Sequence, residues 1–330
     1  MPKYEIRPYE DGDEDLILDT FNLVFRENDA NFQPRSFEEW EWAHTKNPGG
    51  VRLWLAIWAG QVVAQYGSQP SRTWIDGEER VFAQIIDSMV HPEHRRGLKR
   101  PGLFVQVAHE MLSATCGPDR DLVTYGWPNP QAWRIGKAFL GYEMVRMQCF
   151  LSRRIDEGPR ELPSEVEELH SFDQQARWLY DRCSGPWGAS IIRDETFLNW
   201  RFFEHPRFEY HALGVRDDEG ILRGYVVVRT AQWHLPERSL IVMDWLVPPD
   251  EVAVGLSLRE GLMALGRQLD AAVTLATFPE WSPWFARFQE WGWLVYPSDY
   301  LMSGRNNVAK HDMYWLRDNW WYQLAEMDII

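Results

Sequence analysis

The same landmarks stand twice in this chain, in the same order, and a chain built that way folds as two copies of one unit. Asp87-Ser88-Met89-Val90-His91-Pro92-Glu93 is echoed by Asp244-Trp245-Leu246-Val247-Pro248-Pro249-Asp250. Trp127-Pro128-Asn129 returns as Phe278-Pro279-Glu280, and Gly141-Tyr142 returns as Gly292-Trp293. Thirteen positions separate Pro128 from Gly141, and thirteen separate Pro279 from Gly292. Upstream, Trp42 with Pro48 six positions on is matched by Trp200 with Pro206. Only the first copy carries a cluster of positive charge, so the asymmetry points to where the chemistry sits.

At 330 residues the chain has room for two domains, each with its own core. Its net charge of −15 argues against a nucleic-acid binder that relies on general phosphate attraction. No run of 18 apolar residues occurs, and Met1-Pro2-Lys3-Tyr4-Glu5 lacks an apolar signal core, so no membrane partner is expected. Cys116, Cys149 and Cys183 are scattered, fit no zinc spacing, and suit a reduced cytoplasm better than a disulfide framework. The 19 tryptophans exceed what cores require and leave some for pocket walls. Cytoplasmic localisation is the expectation; oligomeric state is not legible, and a homodimer is left open.

The pattern of apolar residues predicts the order β-α-α-β-β-β-α-β-α-β for the first copy. Glu14 to Arg26 reads as an amphipathic helix, and Ser36 three before Glu39 marks a second helix start. Arg52 to Ser68 reads as a hairpin turning at Gly60, Val81 to Val90 as a strand, and Gly102 to Ala114 as a helix. Leu122 to Tyr125, Gln131 to Leu140 and Met144 to Arg153 follow as strand, helix and closing strand. Tyr300 to Ser303 is expected to play that closing role in the second copy. The acidic, proline-bearing stretch Glu157 to Glu168 makes the natural boundary. The expected fold is α/β (mixed α+β), with domains at 1–155 and 156–330, each a mixed, largely antiparallel twisted sheet flanked by helices.

His94-Arg95-Arg96-Gly97-Leu98-Lys99-Arg100-Pro101-Gly102 puts four cationic side chains in six positions, directly before a helix. Glycines let backbone N–H groups approach a ligand closely, the helix N-terminus adds partial positive charge, and the basic side chains neutralise phosphate. A solvated basic turn is the plainer reading of a charge run alone. The counterpart Pro249-Asp250-Glu251-Val252-Ala253-Val254-Gly255 would repel phosphate, which favours an anion site confined to the first copy.

Val90-His91-Pro92-Glu93-His94-Arg95-Arg96-Gly97-Leu98 resembles the signature of the GNAT N-acetyltransferase superfamily. There, a strand ending in Val-x-Pro-Glu leads into an Arg/Gln-x-x-Gly-x-Gly/Ala loop that holds the pyrophosphate of acetyl coenzyme A. Asn129-Pro130-Gln131-Ala132-Trp133, closing at Gly141-Tyr142, is similar to the family's Asn-x-x-Ala … Gly-Phe segment along the pantetheine. The resemblance covers roughly residues 3–155; the second copy keeps the order but not the cofactor loop, which implies a tandem protein with one degenerate half shaping the acceptor site. Two departures stand out. Gly97 arrives one position early with Arg100-Pro101 inserted, and Gly136 or Lys137 replaces the tyrosine that often serves as general acid.

The resemblance implies acyl transfer from acetyl-CoA to the primary amine of a small molecule such as an amino sugar, by direct attack and without a metal. It implies that the backbone N–H groups of Met89 and Val90 hold the pantetheine and carbonyl. Arg95, Arg96, Gly97, Leu98, Lys99, Arg100 and Gly102 would take the pyrophosphate; Asn129 would serve the pantetheine or cap the helix start, and Trp133 would cover the cofactor or else fill the core. Asp87 is the candidate for taking or relaying the amine's proton, or else a carboxylate capping the sheet edge, since Asp244 repeats it. His91 is a candidate proton relay, or else a surface residue. A coenzyme sensor and an aminoacyl or longer-chain acyltransferase are the competing readings.

Overall fold

Each set of landmarks marks a strand-rich unit, but the units do not follow chain order. The computed structural model describes residues 3–29, 32–95, 101–308 and 310–327. Unit 1 comprises Met1–Arg72, Glu79–Val145 and Met302–Met313; unit 2 comprises Thr73–Glu78, Arg146–Leu301 and Tyr314–Ile330.

In unit 1, β1 (Glu5–Pro8) leads to α1 (Glu14–Asn28) and α2 (Phe37–Ala43). Ser36 and Glu39 form the expected capping box at the start of α2, each side chain taking the other's backbone N–H. Strands β2 (Arg52–Trp58), β3 (Gln61–Ile75) and β4 (Glu78–Val90) follow, then α3 (Leu103–Thr115), β5 (Asp121–Gly126) and α4 (Pro130–Ile135). The sheet order is β1-β2-β3-β4-β5, with β4 and β5 parallel. Ile17, Phe21 and Val24 of α1 pack with Trp40, Leu55 and Met89 in one core. Val107, Ala108 and Met111 of α3 pack with Ala64, Tyr66 and Tyr142 in another.

Beyond unit 1 come β6 (Glu143–Arg154), β7 (Val166–Leu169), α5 (Gln175–Ser184), β8 (Ala189–Ile191), α6 (Glu195–Leu198) and β9 (His211–Arg216). Then follow β10 (Leu222–Ala231), β11 (Ser239–Leu246), α7 (Val252–Gln268), β12 (Val273–Ala276), α8 (Pro283–Glu290) and β13 (Leu294–Asn306). Unit 2 repeats the order of unit 1 as β7-β9-β10-β11-β12, again with the last two parallel.

The closing strands are traded. Met144–Arg153, expected to finish the first copy, runs into unit 2, where Leu151 pairs Ala276 and Arg154 pairs Val273. The end of β13 finishes unit 1 instead, with Ser303 opposite Gly126 and Asn306 opposite Val123. Sequence pattern marks where a closing strand lies, but not which of two equivalent edges it joins.

The units diverge where their parallel strands stop pairing. In unit 2 the pairs end at Ile241–Leu275, and β11 continues to Leu246. The space beyond is filled by Trp245, Trp284, Phe288 and Trp291, with Trp245 5.3 Å from Trp284 and 5.1 Å from Phe288. Trp284 Nε1 donates to the Val247 carbonyl at 2.9 Å. The ring also lies against the first turn of α7, where a Cβ on Gly255 would come within 2.5 Å of it.

Gly255→Ala therefore sets an overpacking cost of about 1–3 kcal/mol against a helix-propensity gain of about 1 kcal/mol. With Trp284 present the cost is expected to win; in a Trp284→Leu background the gain alone should remain. Urea unfolding of the four chains should return a coupling on the order of 1–2 kcal/mol, and additive behaviour would contradict the packing described.

Candidate active site

In unit 1 the corresponding space is open. Pairing between β4 and β5 stops at Gln84–Tyr125, and β4 continues to Val90. A cleft of about 290 Å³ opens there, walled by Ser88, Met89 and Val90 on one side and by Asn129, Gln131 and Ala132 on the other. Its far wall is the start of α3, with Gly102, Leu103, Phe104 and Val105. Among the described residues no side chain caps that helix; the Val105 N–H bonds the Gly102 carbonyl, and the Leu103 and Phe104 amides remain available to an anion. His94, Arg95, Val24, Ile135 and Phe139 complete the lining.

Of the expected site residues, Met89, Val90, Arg95, Gly102 and Asn129 are brought together at the cleft. Arg96, Gly97, Leu98, Lys99 and Arg100 lie outside the described residues. Asn129 caps α4, its Oδ1 accepting from the N–H groups of Gln131 and Ala132 at 3.0 and 2.9 Å. Trp133 does not line the cleft; it packs on the α3 core, with the Lys137 ammonium 5.8 Å from its ring. Its counterpart, placed after Pro279 as Trp133 is placed after Pro128, is Trp284, the ring that fills the space in unit 2.

His91 is also absent from the cleft wall. Its Nδ1 accepts from the Glu93 N–H at 3.3 Å, which makes it the cap of the short turn Pro92–His94. His94, the last residue of that turn, does reach the cleft and meets the Tyr4 hydroxyl through Nδ1 at 3.0 Å. Burial, then the neighbouring His91, holds the His94 imidazole below its ordinary value. Arg95 is an exposed side chain that donates to the Val90 carbonyl at 3.0 Å and pairs with Glu27 at 3.2 Å. Tyr142 is buried against Thr124 and Tyr66, and burial pushes its phenol up to about 12.

Asp87 sits at the start of the cleft wall with φ of +53°, a left-handed conformation inside a strand. This kink directs the following backbone, Ser88 to Val90, along the cleft. Three side chains hold it. Arg35, just ahead of α2, pairs with the Asp87 carboxylate, His44 Nε2 meets the same oxygen at 3.0 Å, and Gln65 Nε2 donates to the Asp87 carbonyl at 3.0 Å. Burial alone would raise this carboxyl, but Arg35 and His44 outweigh it and bring it down to about 2. Asp87 is therefore an anion at neutral pH with its charge already committed, which makes it an anchor rather than a base that takes up protons.

Sequence reading missed Arg35, His44 and Gln65. A signal for the first was present. Arg35 stands seven positions before Trp42, and Arg193 stands seven before Trp200. In unit 2 Arg193 pairs with Asp244 as Arg35 does with Asp87, so the ion pair belongs to the repeat.

Residues 5–128 match the family described as acetyltransferase (GNAT) domain. The first part of the chain is a GNAT acetyltransferase domain. The GNAT fold extends over both units. A tandem GNAT protein from the clavulanic acid biosynthesis pathway aligns with 94% of this chain and 100% of its own, at a TM-score of 0.56 and 13% identity. A probable N-acyltransferase of Enterococcus faecalis aligns over 92% of this chain and 73% of its own, at 0.63 and 14%. An N-myristoyltransferase of Saccharomyces cerevisiae, solved with myristoyl-CoA, aligns over 92% and 80%, at 0.58 and 11%. Comparison with curated proteins finds no match to this GNAT sequence. Among the described residues, no helix is long and apolar enough to cross a membrane.

Because the folded-state Asp87 carboxyl lies below its ordinary 3.8, its contribution to stability is complete above that value and is lost as pH falls towards about 2. Asp87→Asn is expected to lower unfolding free energy by about 2 kcal/mol at pH 7. The gap between variant and parent should narrow between pH 4 and about 2. A gap independent of pH, measured by urea unfolding across that range, would mean the carboxylate charge is not what anchors the strand.

Proposed function

We propose that unit 1 binds acetyl-CoA in the cleft beside Asp87 and passes the acetyl group to the primary amine of a small molecule, such as an amino sugar, by direct attack. The observation that carries this reading is the contrast between the two units. One fold, present twice, leaves an open cleft at the start of α3 in unit 1. In unit 2 the same space is closed by Trp284, hydrogen-bonded to Val247.

The residues present fit an acyl carrier of this kind. Apolar side chains of Val24, Met89, Ile135 and Phe139 suit the pantetheine arm, and the start of α3 with Arg95 suits its diphosphate. Arg96, Lys99 and Arg100 of the adjoining loop add cationic charge in sequence. The backbone N–H groups of Met89 and Val90, directed by the Asp87 kink, are the candidates for holding the pantetheine and polarising the thioester carbonyl as charge develops on its oxygen. A net charge of −15 favours a cationic amine over an anionic acceptor. Unit 2 is assigned to shaping the acceptor site, and three cysteines without disulfide partners favour the cytoplasm.

Replacing Arg95, Arg96, Lys99 and Arg100 together by Glu should abolish coenzyme A binding in a calorimetric titration. Replacing Asp250 and Glu251 by Ala should leave it intact, and the parent chain should bind one coenzyme A. Retained affinity in the first variant would remove the site from unit 1. Tight binding with no thiol release across a broad panel of amines would favour the sensor reading.

A further inference from the structure

The Arg–Asp pair is common to both units, but its surroundings are completed differently. In unit 2 the Tyr225 hydroxyl donates to Asp244 at 2.8 Å, and Glu326 pairs with Arg193 at 2.6 Å, all with fully buried side chains. The position two after the repeated tryptophan is Phe202. In unit 1 that position is His44, and Gln65 stands five after the turn glycine Gly60 as Tyr225 stands five after Gly220.

The exchange leaves unit 1 with polar atoms that nothing answers. His44 Nδ1, Gln65 Oε1 and Trp40 Nε1 have no hydrogen-bond partner among the described residues, although each residue is only 1% exposed. Folded chains pair their buried polar atoms, and a leftover one needs a reason. An apolar ring at this position is compatible with the fold, as Phe202 demonstrates, so packing does not supply the reason. The geometry does. With Nε2–H given to Asp87, His44 Nδ1 carries a lone pair. Gln65, whose amide N–H serves the Asp87 carbonyl, presents its oxygen. Trp40 lies against the imidazole, with ring centroids 5.3 Å apart. Two lone pairs beside a carboxylate complement a group rich in N–H. Asp87 is adjacent in the chain to Ser88, where the cleft wall begins.

We propose that this cluster receives the acceptor's amino group, with His44 Nδ1, oriented by Asp87, as the catalytic base and Gln65 Oε1 accepting a second N–H. The inference deepens the acyl-transfer reading and rests on it. The amine nitrogen bonds to the thioester carbon as its proton passes to His44 Nδ1. The carbonyl electron pair moves onto oxygen and returns as the C–S bond breaks. The departing thiolate then takes the proton that His44 holds. One amide and one thiol result, and no further reactant is consumed.

The test uses the full chain, acetyl-CoA, and glucosamine, spermidine and free lysine as amine probes. His44→Phe borrows the ring that unit 2 already accommodates, and His44→Gln keeps a donor for Asp87. Both should lose kcat about 10²-fold or more, the share usual for a general base, with coenzyme A affinity little changed; thermal unfolding should stay near the parent's in His44→Gln and fall in His44→Phe, which takes a donor from Asp87. Gln65→Leu should raise KM for the amine more than it lowers kcat. A His44→Phe chain that keeps kcat within about threefold of the parent overturns the proposal, since a base is worth far more. Nitrogen-15 spectra of the parent chain's imidazoles provide the measurement that needs no variant to fold and no turnover. His44 should appear protonated at Nε2 with Nδ1 bare and should shift on titration with methylammonium; an Nδ1–H tautomer, or no shift, also overturns it. A parent chain that fails to bind coenzyme A defeats the acyl-transfer reading, and the imidazole spectra then judge His44 by themselves.

Discussion

A partly buried ion pair between the start of the second helix and the kink in the fourth strand organises unit 1. Taking two opposite charges out of water is costly unless their remaining hydrogen-bonding capacity is met. Asp87 meets that condition through Arg35, His44 and its own carbonyl's bond to Gln65. The same contacts hold a non-glycine residue at positive φ, a conformation that costs about 1–3 kcal/mol when nothing supports it. The kink is therefore set by side chains from α2 and β3, and the cleft follows from the kink.

The two units show how one scaffold yields two outcomes from few changes. Both have a tryptophan at the same place in the helix after the fifth strand of the repeat. Trp133 joins the core beneath α3, whereas Trp284 turns into the gap between strand and helix and finds the Val247 carbonyl. Gly255 leaves room for that ring, and unit 1 has an open helix start where the ring would lie. Around the ion pair the substitutions run the other way. Unit 2 completes its ion pair with Tyr225 and Glu326, and unit 1 keeps the His44 and Gln65 lone pairs buried.

Local signals were legible in the sequence, and long-range ones were not. Ser36 with Glu39 announced a helix start because a capping box is written within four residues. Asn129 was readable as a cap for the same reason. The doubled order of strands was legible because prolines and glycines punctuate both copies alike. Asp87 stood out, but its role depends on partners 43 and 52 positions away, and composition says nothing about such distances. Reading it as a proton acceptor overlooked Arg35, whose repeat at Arg193 was the available clue. His91 and Trp133 were placed at the site by proximity in sequence, and each turned out to serve its own local turn or core.

The exchange of closing strands bears on how the polypeptide matures during synthesis. A nascent chain that has emerged only as far as the acidic linker possesses β5 but not the strand that covers its outer edge, because Ser303–Asn306 has yet to be translated. An uncovered edge is a template for unwanted pairing. The N-terminal half therefore stays incomplete until Ser303–Asn306 has emerged and paired with β5.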